Sequence, residues 1–442
     1  MEAGWPHSLS TLLAFTAEKT SGRVAMYQRF PDLIRPFLYL LVGKPLIKVT
    51  GTNGKGSLCA MIEACLASDG TRTGLFTSPH LSRVAERFRV AGTEVSVDTI
   101  DRHAEEVLRI AREEVDARGE SYRPSFFECL ILIAMHIFHE QQVDVAVFEA
   151  GVGGYNDATS FLPGQLSVIT SVGMDHKAQL GDSLEAIAAD KAGIASPGGH
   201  LVIGPEVAPP LRTIIEEDAR LRRVEVSQAT LDGLSPSWLG LHHPTVITMS
   251  MNDQPTVYNL PLLGRHQVSN FATLVTVMQA LERQGIIRNL ESLKGVENTR
   301  WSGRLEVRNG NPCYVIDAAH NEHGVLALIN SLTDLVPYAE RVLLYGTSAE
   351  KDYRAYLGRL SQLAPQVFLV DGFHRAEQTS VVAEALSSDF QCSGTFSTPR
   401  QAVEFFSTEP AYHDRVIVAM GSIFMIGELI DCLDSLGLQK TR

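Results

Sequence analysis

Lys48-Val49-Thr50-Gly51-Thr52-Asn53-Gly54-Lys55-Gly56-Ser57 is the stretch on which the fold turns. An apolar, β-prone run (Leu46, Ile47, Val49) leads into it, and a helical pattern (Leu58, Ala60, Met61, Ile62, Ala64, Leu66) follows at once. Strand, glycine loop, helix is the arrangement that cradles phosphates. Glycines let backbone N–H groups converge on an anion, and the helix N-terminus adds partial positive charge. Lys55 supplies a mobile cation for terminal phosphates, and the Ser57 hydroxyl is placed to reach a bound magnesium. Only Thr52 and Asn53 separate Gly51 from Gly54, a tighter spacing than the general phosphate-loop pattern. The competing reading is a flexible glycine turn; the strand before and the helix after weigh against it.

Working outward, strands and helices alternate. Strands are expected at 72–76, 143–148, 167–171 and 200–203, and helices at 97–117, 125–141, 183–195 and 268–283. Residues 9–41 read as helices broken near Pro31 and Pro36, and 207–260 as a helix with lesser strands. Within the strand expected at 143–148, Val145–Phe148 is continuously apolar, as in a parallel sheet covered on both faces. A polar stretch at 297–303 marks a boundary, giving domains 1–297 and 298–442. Beyond it the rhythm resumes, with strands at 313–316, 342–345, 367–370 and 416–419 and helices starting near Gly324, Tyr353, Thr379, Arg400 and Ile423. The expected fold class is α/β: a phosphate-loop parallel-sheet domain followed by a smaller Rossmann-like α/β domain.

Bulk properties narrow the function. A chain of 442 residues is long for one core, so two domains are the default. The net charge of −13 argues against non-specific binding to nucleic acid or anionic membranes. No apolar run is long enough to span a bilayer, and the N-terminus lacks a basic region followed by an apolar run. The six cysteines show no metal-ligand spacing; Cys59, Cys65 and Cys129 sit in apolar helical patterns and read as buried thiols in a reducing cytoplasm.

In open parallel sheets, ligands bind beyond the carboxyl ends of the strands. Four expected strand ends carry polar, glycine-marked loops: the phosphate loop, Thr77–His80, Glu149–Gly154 and Gly173–His176. Glu149 alone is as consistent with a helix cap, and His176 alone with a structural histidine. Together with Ser57 and Ser78 they offer oxygen ligands and one imidazole, a donor set suited to magnesium. Lys191, late in a helix, reads from sequence as solvated.

The chain resembles the folylpolyglutamate synthase/dihydrofolate synthase family of the Mur ligase superfamily. The matching stretches are Val49–Ser57, Thr77–Leu81 with Glu86-Arg87, Phe127-Glu128, Glu149–Thr159, Asp175-His176 and Leu180-Gly181. They continue through Asp190–Ile194, Gly264–Asn270, Thr299–Leu305, Asp317–Gly324, Lys351-Asp352 and Gly421-Ser422, in the family's order. The resemblance implies an ATP-dependent amide ligase of the EC 6.3.2 type, the first domain being like the Mur ligase central domain. ATP phosphorylates a carboxylate, and an amino acid, L-glutamate, attacks the acyl phosphate; the acid is dihydropteroate or a reduced folate. It implies ATP held by Gly51, Thr52, Asn53, Gly54, Lys55, Gly56 and Ser57, with Gln267 and Asn270 at the base or ribose. Arg304 would serve phosphate, Asp317 the ribose, and His320 the nucleotide and transferred phosphate. Ser57, Ser78, Glu149, His176 and a carbamylated Lys191 would hold Mg2+. The implied catalytic set is Lys55, His176, Lys191, Arg304 and His320, in a cytoplasmic monomer.

The family pattern is broken at Tyr155, where it has arginine, at Ser160, where it has asparagine, and at Glu322, where it has proline. A phenol does not replace a guanidinium in holding an anion. Two alternatives follow: a related amide ligase acting on a non-folate acid, and a nucleotide-binding protein without catalysis.

Overall fold

The structure, a computed structural model, describes residues 5–18, 25–251, 254–386, 390–438 and 440. Residues 19–24 of the expected helical stretch, and residues 1–4 of the N-terminus, lie outside the described residues. The chain divides into two compact units, residues 1–230 with 270–295, and residues 231–269 with 296–442. The expected boundary at 297/298 lies beside the point where the second unit resumes, and residues 231–269 also pack with that unit.

The first unit contains strands β1 (Leu46–Thr50), β2 (Thr73–Phe76), β3 (Phe88–Val90), β4 (Thr93–Glu94), β5 (Val145–Glu149), β6 (Leu166–Ile169), β7 (His200–Ile203) and β8 (Glu225–Gln228). Its helices are α1 (His7–Ala17), α2 (Met26–Ile34), α3 (Lys55–Ser68), α4 (Val97–Arg118), α5 (Phe126–Glu140), α6 (Lys177–Leu180), α7 (Leu184–Ala192), α8 (Pro209–Leu221) and most of α9 (Arg265–Arg283). The sheet order is β4-β3-β2-β5-β1-β6-β7-β8. From β2 to β8 every pairing is parallel, while β3 and β4 add an antiparallel ribbon. Every residue of β1, β2, β5, β6 and β7 is buried, as expected of strands covered on both faces, and the polar Lys48, Thr50, Thr73, Glu149, Ser167 and His200 are buried with their apolar neighbours.

One apolar cluster joins α1, α2, α4 and α5 to the sheet, and another joins α7 and α8 to β6 and β7. Helix starts follow local chemistry. Ser96 and Ser183 cap α4 and α7, and Ser125 with Glu128 forms a capping box on α5. The expected break at Pro31 does not occur, because packing holds α2 through it. Arg29 pairs with Glu128 and Phe30 rests edge-on against Phe161. The chain tightens into a 3-10 helix only at Arg35–Leu41.

The second unit holds a three-stranded antiparallel sheet in the order β11-β10-β9, made from β9 (Leu234–Ser237), β10 (Thr245–Met251) and β11 (Gln254–Leu260). It also holds β12 (Glu306–Arg308), β13 (Cys313–Ile316), β14 (Arg341–Tyr345), β15 (Val367–Val370), β16 (Cys392–Phe396) and β17 (Val416–Met420). These form a six-stranded sheet ordered β12-β13-β17-β14-β15-β16, parallel except at the β12 edge. Helices α10 (Glu322–Leu335), α11 (Thr379–Ala385), α12 (Pro399–Thr408) and α13 (Ile423–Ser435) alternate with the strands. Its core includes Leu241 and Leu263 beside Val315, Leu343, Leu369 and Val418, so residues 231–269 share that core. Among the described residues, no helix is long and apolar enough to cross a membrane and no disulfide forms.

Candidate active site

Strands β2, β5, β1 and β6 are consecutive in the sheet and parallel, so their four carboxyl ends emerge along one edge. The four loops singled out in the sequence are therefore neighbours. The loop after β1 is shaped by contacts that exclude side chains. A Cβ at Gly51 would lie 1.9 Å from Thr170 Oγ1, and one at Gly54, where φ is +84°, would lie 2.5 Å from Asn270 Oδ1. Thr170 and Ser171, just past β6, fasten the loop. Thr170 Oγ1 donates to Asn53 O at 2.6 Å, and Asn53 N–H donates to Ser171 Oγ at 3.0 Å. Lys55 curls over the loop, with Nζ donating to Gly51 O at 2.9 Å and Thr52 O at 3.2 Å. Ser57 is buried in the first turn of α3. Thr170 and Ser171 were not singled out in the sequence, although two hydroxyl residues ending an apolar strand were the available signal.

Glu149 ends β5 almost wholly buried and accepts the Ser78 N–H at 3.1 Å. The Ser78 hydroxyl is buried with no hydrogen-bond partner among the described residues. Beside it, Arg87 Nε donates to His80 Nδ1 at 2.8 Å. Burial, reinforced by the Arg87 charge, pushes the His80 pKa down to about 3, so the ring is a neutral acceptor. The turn 81–83 is fixed by Glu86, whose carboxylate accepts the N–H groups of Leu81, Ser82 and Arg83. His176 opens α6 in a left-handed conformation (φ +50°), with Nε2 3.9 Å from Asp175 Oδ1.

Lys191 corrects the sequence reading: it is buried, not solvated. The last turn of α7 faces the loop after β5, where a Cβ at Gly154 would lie 2.9 Å from Lys191 Cα. Asp190 anchors that loop by accepting Gly154 N–H at 2.8 Å and Asn156 Nδ2–H at 2.8 Å. Desolvation, with the Lys55 charge adding to it, lowers the Lys191 pKa to about 7. Burial and amphipathic placement of a lysine depend on tertiary neighbours, which a helical pattern does not reveal.

In the second unit, Gln267 is fully buried and its Nε2 lies 3.1 Å from His266 Nε2. Burial, then the charges of Arg304 and His323, lowers the His266 pKa to about 4. Asp317 is buried at the end of β13 and accepts the N–H groups of Leu305 and Ala319, both at 2.9 Å. Burial raises its pKa, and the Arg304 charge pulls it back down. His320 Nδ1 lies 2.8 Å from Ala318 O, which makes Nδ1 the protonated nitrogen of the neutral ring. Asn270, in contrast, belongs with the first unit, against Gly54. Among the described residues, no three His, Cys, Asp or Glu side chains are grouped to hold a metal.

Residues 49–278 match the Mur ligase middle domain, and residues 303–423 match the Mur ligase glutamate ligase domain. The chain is 32% identical to the folylpolyglutamate synthase of Lacticaseibacillus casei, over 78% of this chain and 84% of that protein. It is also 32% identical, over 87% of its own length, to a probable bifunctional folylpolyglutamate synthase/dihydropteroate synthase of Haloferax volcanii. The chain spans about half the length (46%) of that relative and of its Halobacterium salinarum counterpart. Among solved structures it is similar to Mycobacterium tuberculosis folylpolyglutamate synthase complexed with ADP and AMPPCP. The TM-score there is 0.82 at 27% identity, covering 95% of this chain and 97% of that one. On these matches the chain belongs to the folylpolyglutamate synthase family of the Mur ligases.

Proposed function

We propose that the chain is an ATP-dependent amide ligase that joins L-glutamate to dihydropteroate or a reduced folate through an acyl phosphate. The observation that carries this is the single sheet edge where the phosphate loop lies between the Glu149–Ser78 pair and the loop after β6, with buried Lys191 behind the loop after β5. A carboxylate acylates poorly because oxide is its leaving group. Transfer of the γ-phosphoryl group to it, with ADP departing, supplies a better one. The amine then attacks the acyl carbon, phosphate leaves, and the ammonium proton is lost.

The residues present fit a magnesium ion: a buried, unpartnered Ser78 oxygen stands beside a buried carboxylate, and magnesium needs few protein ligands. Ser57, Ser78, Glu149, His176 and carbamylated Lys191 would hold it, and when bound it neutralises phosphate charge. Lys191 has the chemistry for carbamylation, since a pKa near 7 leaves about half its amines neutral at neutral pH and able to attack CO2. Lys55 and the N–H groups of residues 51–57 stabilise charge on the transferring phosphoryl group. Gln267, Asn270, Arg304, Asp317 and His320 are assigned to the nucleotide, Arg304 through its guanidinium fork. With Nδ1 protonated, Nε2 is the basic nitrogen of the His320 ring. We place the protein in the cytoplasm, as a monomer.

The test is a mass-spectrometric assay with ATP and Mg2+, in which dihydropteroate or tetrahydrofolate plus L-glutamate should give the glutamylated product, ADP and phosphate. Tyr155, more than half exposed where the family has arginine, favours one second reading: the same chemistry on another acid. Turnover of a non-folate acid, with none of any folate, would replace the substrate and keep the ligase.

A further inference from the structure

One face of β1 reaches the same loop twice. Thr50 Oγ1 donates to Gly153 O at one end of it. At the other end, Lys48 Nζ donates to Ser160 O at 3.3 Å and Leu162 O at 3.1 Å, and also to Ser196 Oγ at 3.0 Å. Ser196 Oγ lies 3.4 Å from Leu162 O as donor, so its oxygen is the acceptor for Lys48. All three ammonium hydrogens are thereby used. Lys48 is wholly buried in a central strand, where an apolar side chain is the rule. Room for it is built in: a Cβ at Gly164 would lie 2.7 Å from Lys48 Cε.

Between the two tied ends runs the segment whose Gly154, Tyr155 and Asn156 N–H groups all donate to Asp190, next to Lys191. Ser196 lies on the chain leaving α7, just beyond Lys191. We infer that Lys48 is a positioning residue that holds the 151–162 loop against Lys191, acting through the loop and not on the reactants. The inference rests on the ligase reading for its kinetic consequence, but its structural content stands apart from that reading. Burial, then Arg222, lowers the Lys48 pKa to about 7 against the pull of Asp157, so near neutral pH about half of these amines carry the charge, and the hold on the loop stands on the geometry of the donated bonds.

The experiment uses Lys48→Met, which keeps the chain length and removes the three donors, and Gly164→Ala, which keeps the amine and crowds its channel. In both, amides of 151–162 should exchange hydrogen at least tenfold faster, while those of 51–57 and 166–171 stay within twofold. Ligation kcat should fall at least tenfold, with the KM for ATP changed less than threefold. If Lys48→Met does not melt cooperatively, Gly164→Ala with Ser196→Ala carries the test. Unchanged exchange at 151–162 in a folded variant overturns the inference. Equal losses in kcat and in nucleotide affinity also overturn it, since they mark general damage. A wild-type chain that ligates no acid defeats the ligase reading instead, and the exchange measurement still decides the role of Lys48.

Discussion

Lys191 shows what a single side chain gains from its surroundings. In water its amine is almost fully protonated at pH 7 and unreactive toward CO2; here burial and Lys55 bring its pKa to about 7. As pH falls below 7 the folded protein protonates the amine, so carbamylation should fail in that direction and strengthen above it. Enzyme stripped of CO2 should lose ligase activity and regain it on adding bicarbonate, more slowly at pH 6 than at pH 8. Lys191→Met should lose about 100-fold or more in kcat and ignore bicarbonate, the size expected when a preorganised charge-stabilising group is removed. Gly54 makes a steric prediction: φ is +84° and an alanine Cβ would overlap Asn270 Oδ1. The left-handed conformation alone costs alanine about 1–2 kcal/mol, so Gly54→Ala should weaken ATP binding at least tenfold by calorimetry. The glycine and lysine of the loop were legible because their chemistry is local. The burial of Lys48 and Lys191 was not, since it is decided by segments more than a hundred residues away for Lys48 and by the packing of the loop after β5 for Lys191.

At the scale of elements, the parallel strands were legible for the reason that makes them central: buried on both faces, they are mostly apolar. The ribbon β3–β4 and the edge strands β12 and β16 were missed, and they are short or alternate buried with exposed positions. The four polar strand ends could be counted in the sequence, but the order β2-β5-β1-β6 that makes them neighbours could not. Sheet order is set by how crossover helices pack, not by any one segment's pattern. The α4–α5 contact is a case of chemistry created by packing. His103 and His136 come together with ring centroids 5.9 Å apart, among Arg102, Glu106, His139 and Glu140. Burial lowers both pKa values, outweighing Glu140 for His103 and Glu106 for His136. The unfolded chain then binds protons below pH 6.5 that the folded chain refuses, so stability is full above that pH and falls beneath it. The slope is at most about 1.4 kcal/mol per pH unit for each histidine, and less for the part-exposed His136. Urea midpoints should drop between pH 7 and pH 5.5, and His136→Phe should flatten the drop.

Among the described residues, each unit is built on its own apolar clusters. The first unit's clusters are built on β1–β3 and β5–β8, and the second has its own around β13, β14, β15 and β17. A chain so divided need not unfold in one step, and a single midpoint would then average two processes. The second unit's sheet was legible for the same reason as the first's, while the membership of residues 231–269 was not, because it rests on Leu241 and Leu263 entering a core assembled mostly from residues after 305. The grip on the phosphates has a signature in the first unit's own unfolding. A ligand that binds only the folded form stabilises by about 2.7 kcal/mol at 100 times its Kd. The phosphate loop, Ser78, Glu149, His176 and Lys191 all lie in the first unit. ADP with Mg2+ should therefore raise the unfolding transition of that unit by several degrees, followed calorimetrically and assigned by hydrogen exchange at residues 145–149. Lys55→Ala removes the cation over the loop and should abolish most of the shift. Lys48→Met should keep it, since Thr170 and Ser171, not Lys48, fasten the phosphate loop. A shift that survives Lys55→Ala unchanged would place the nucleotide elsewhere and withdraw the phosphate-loop assignment.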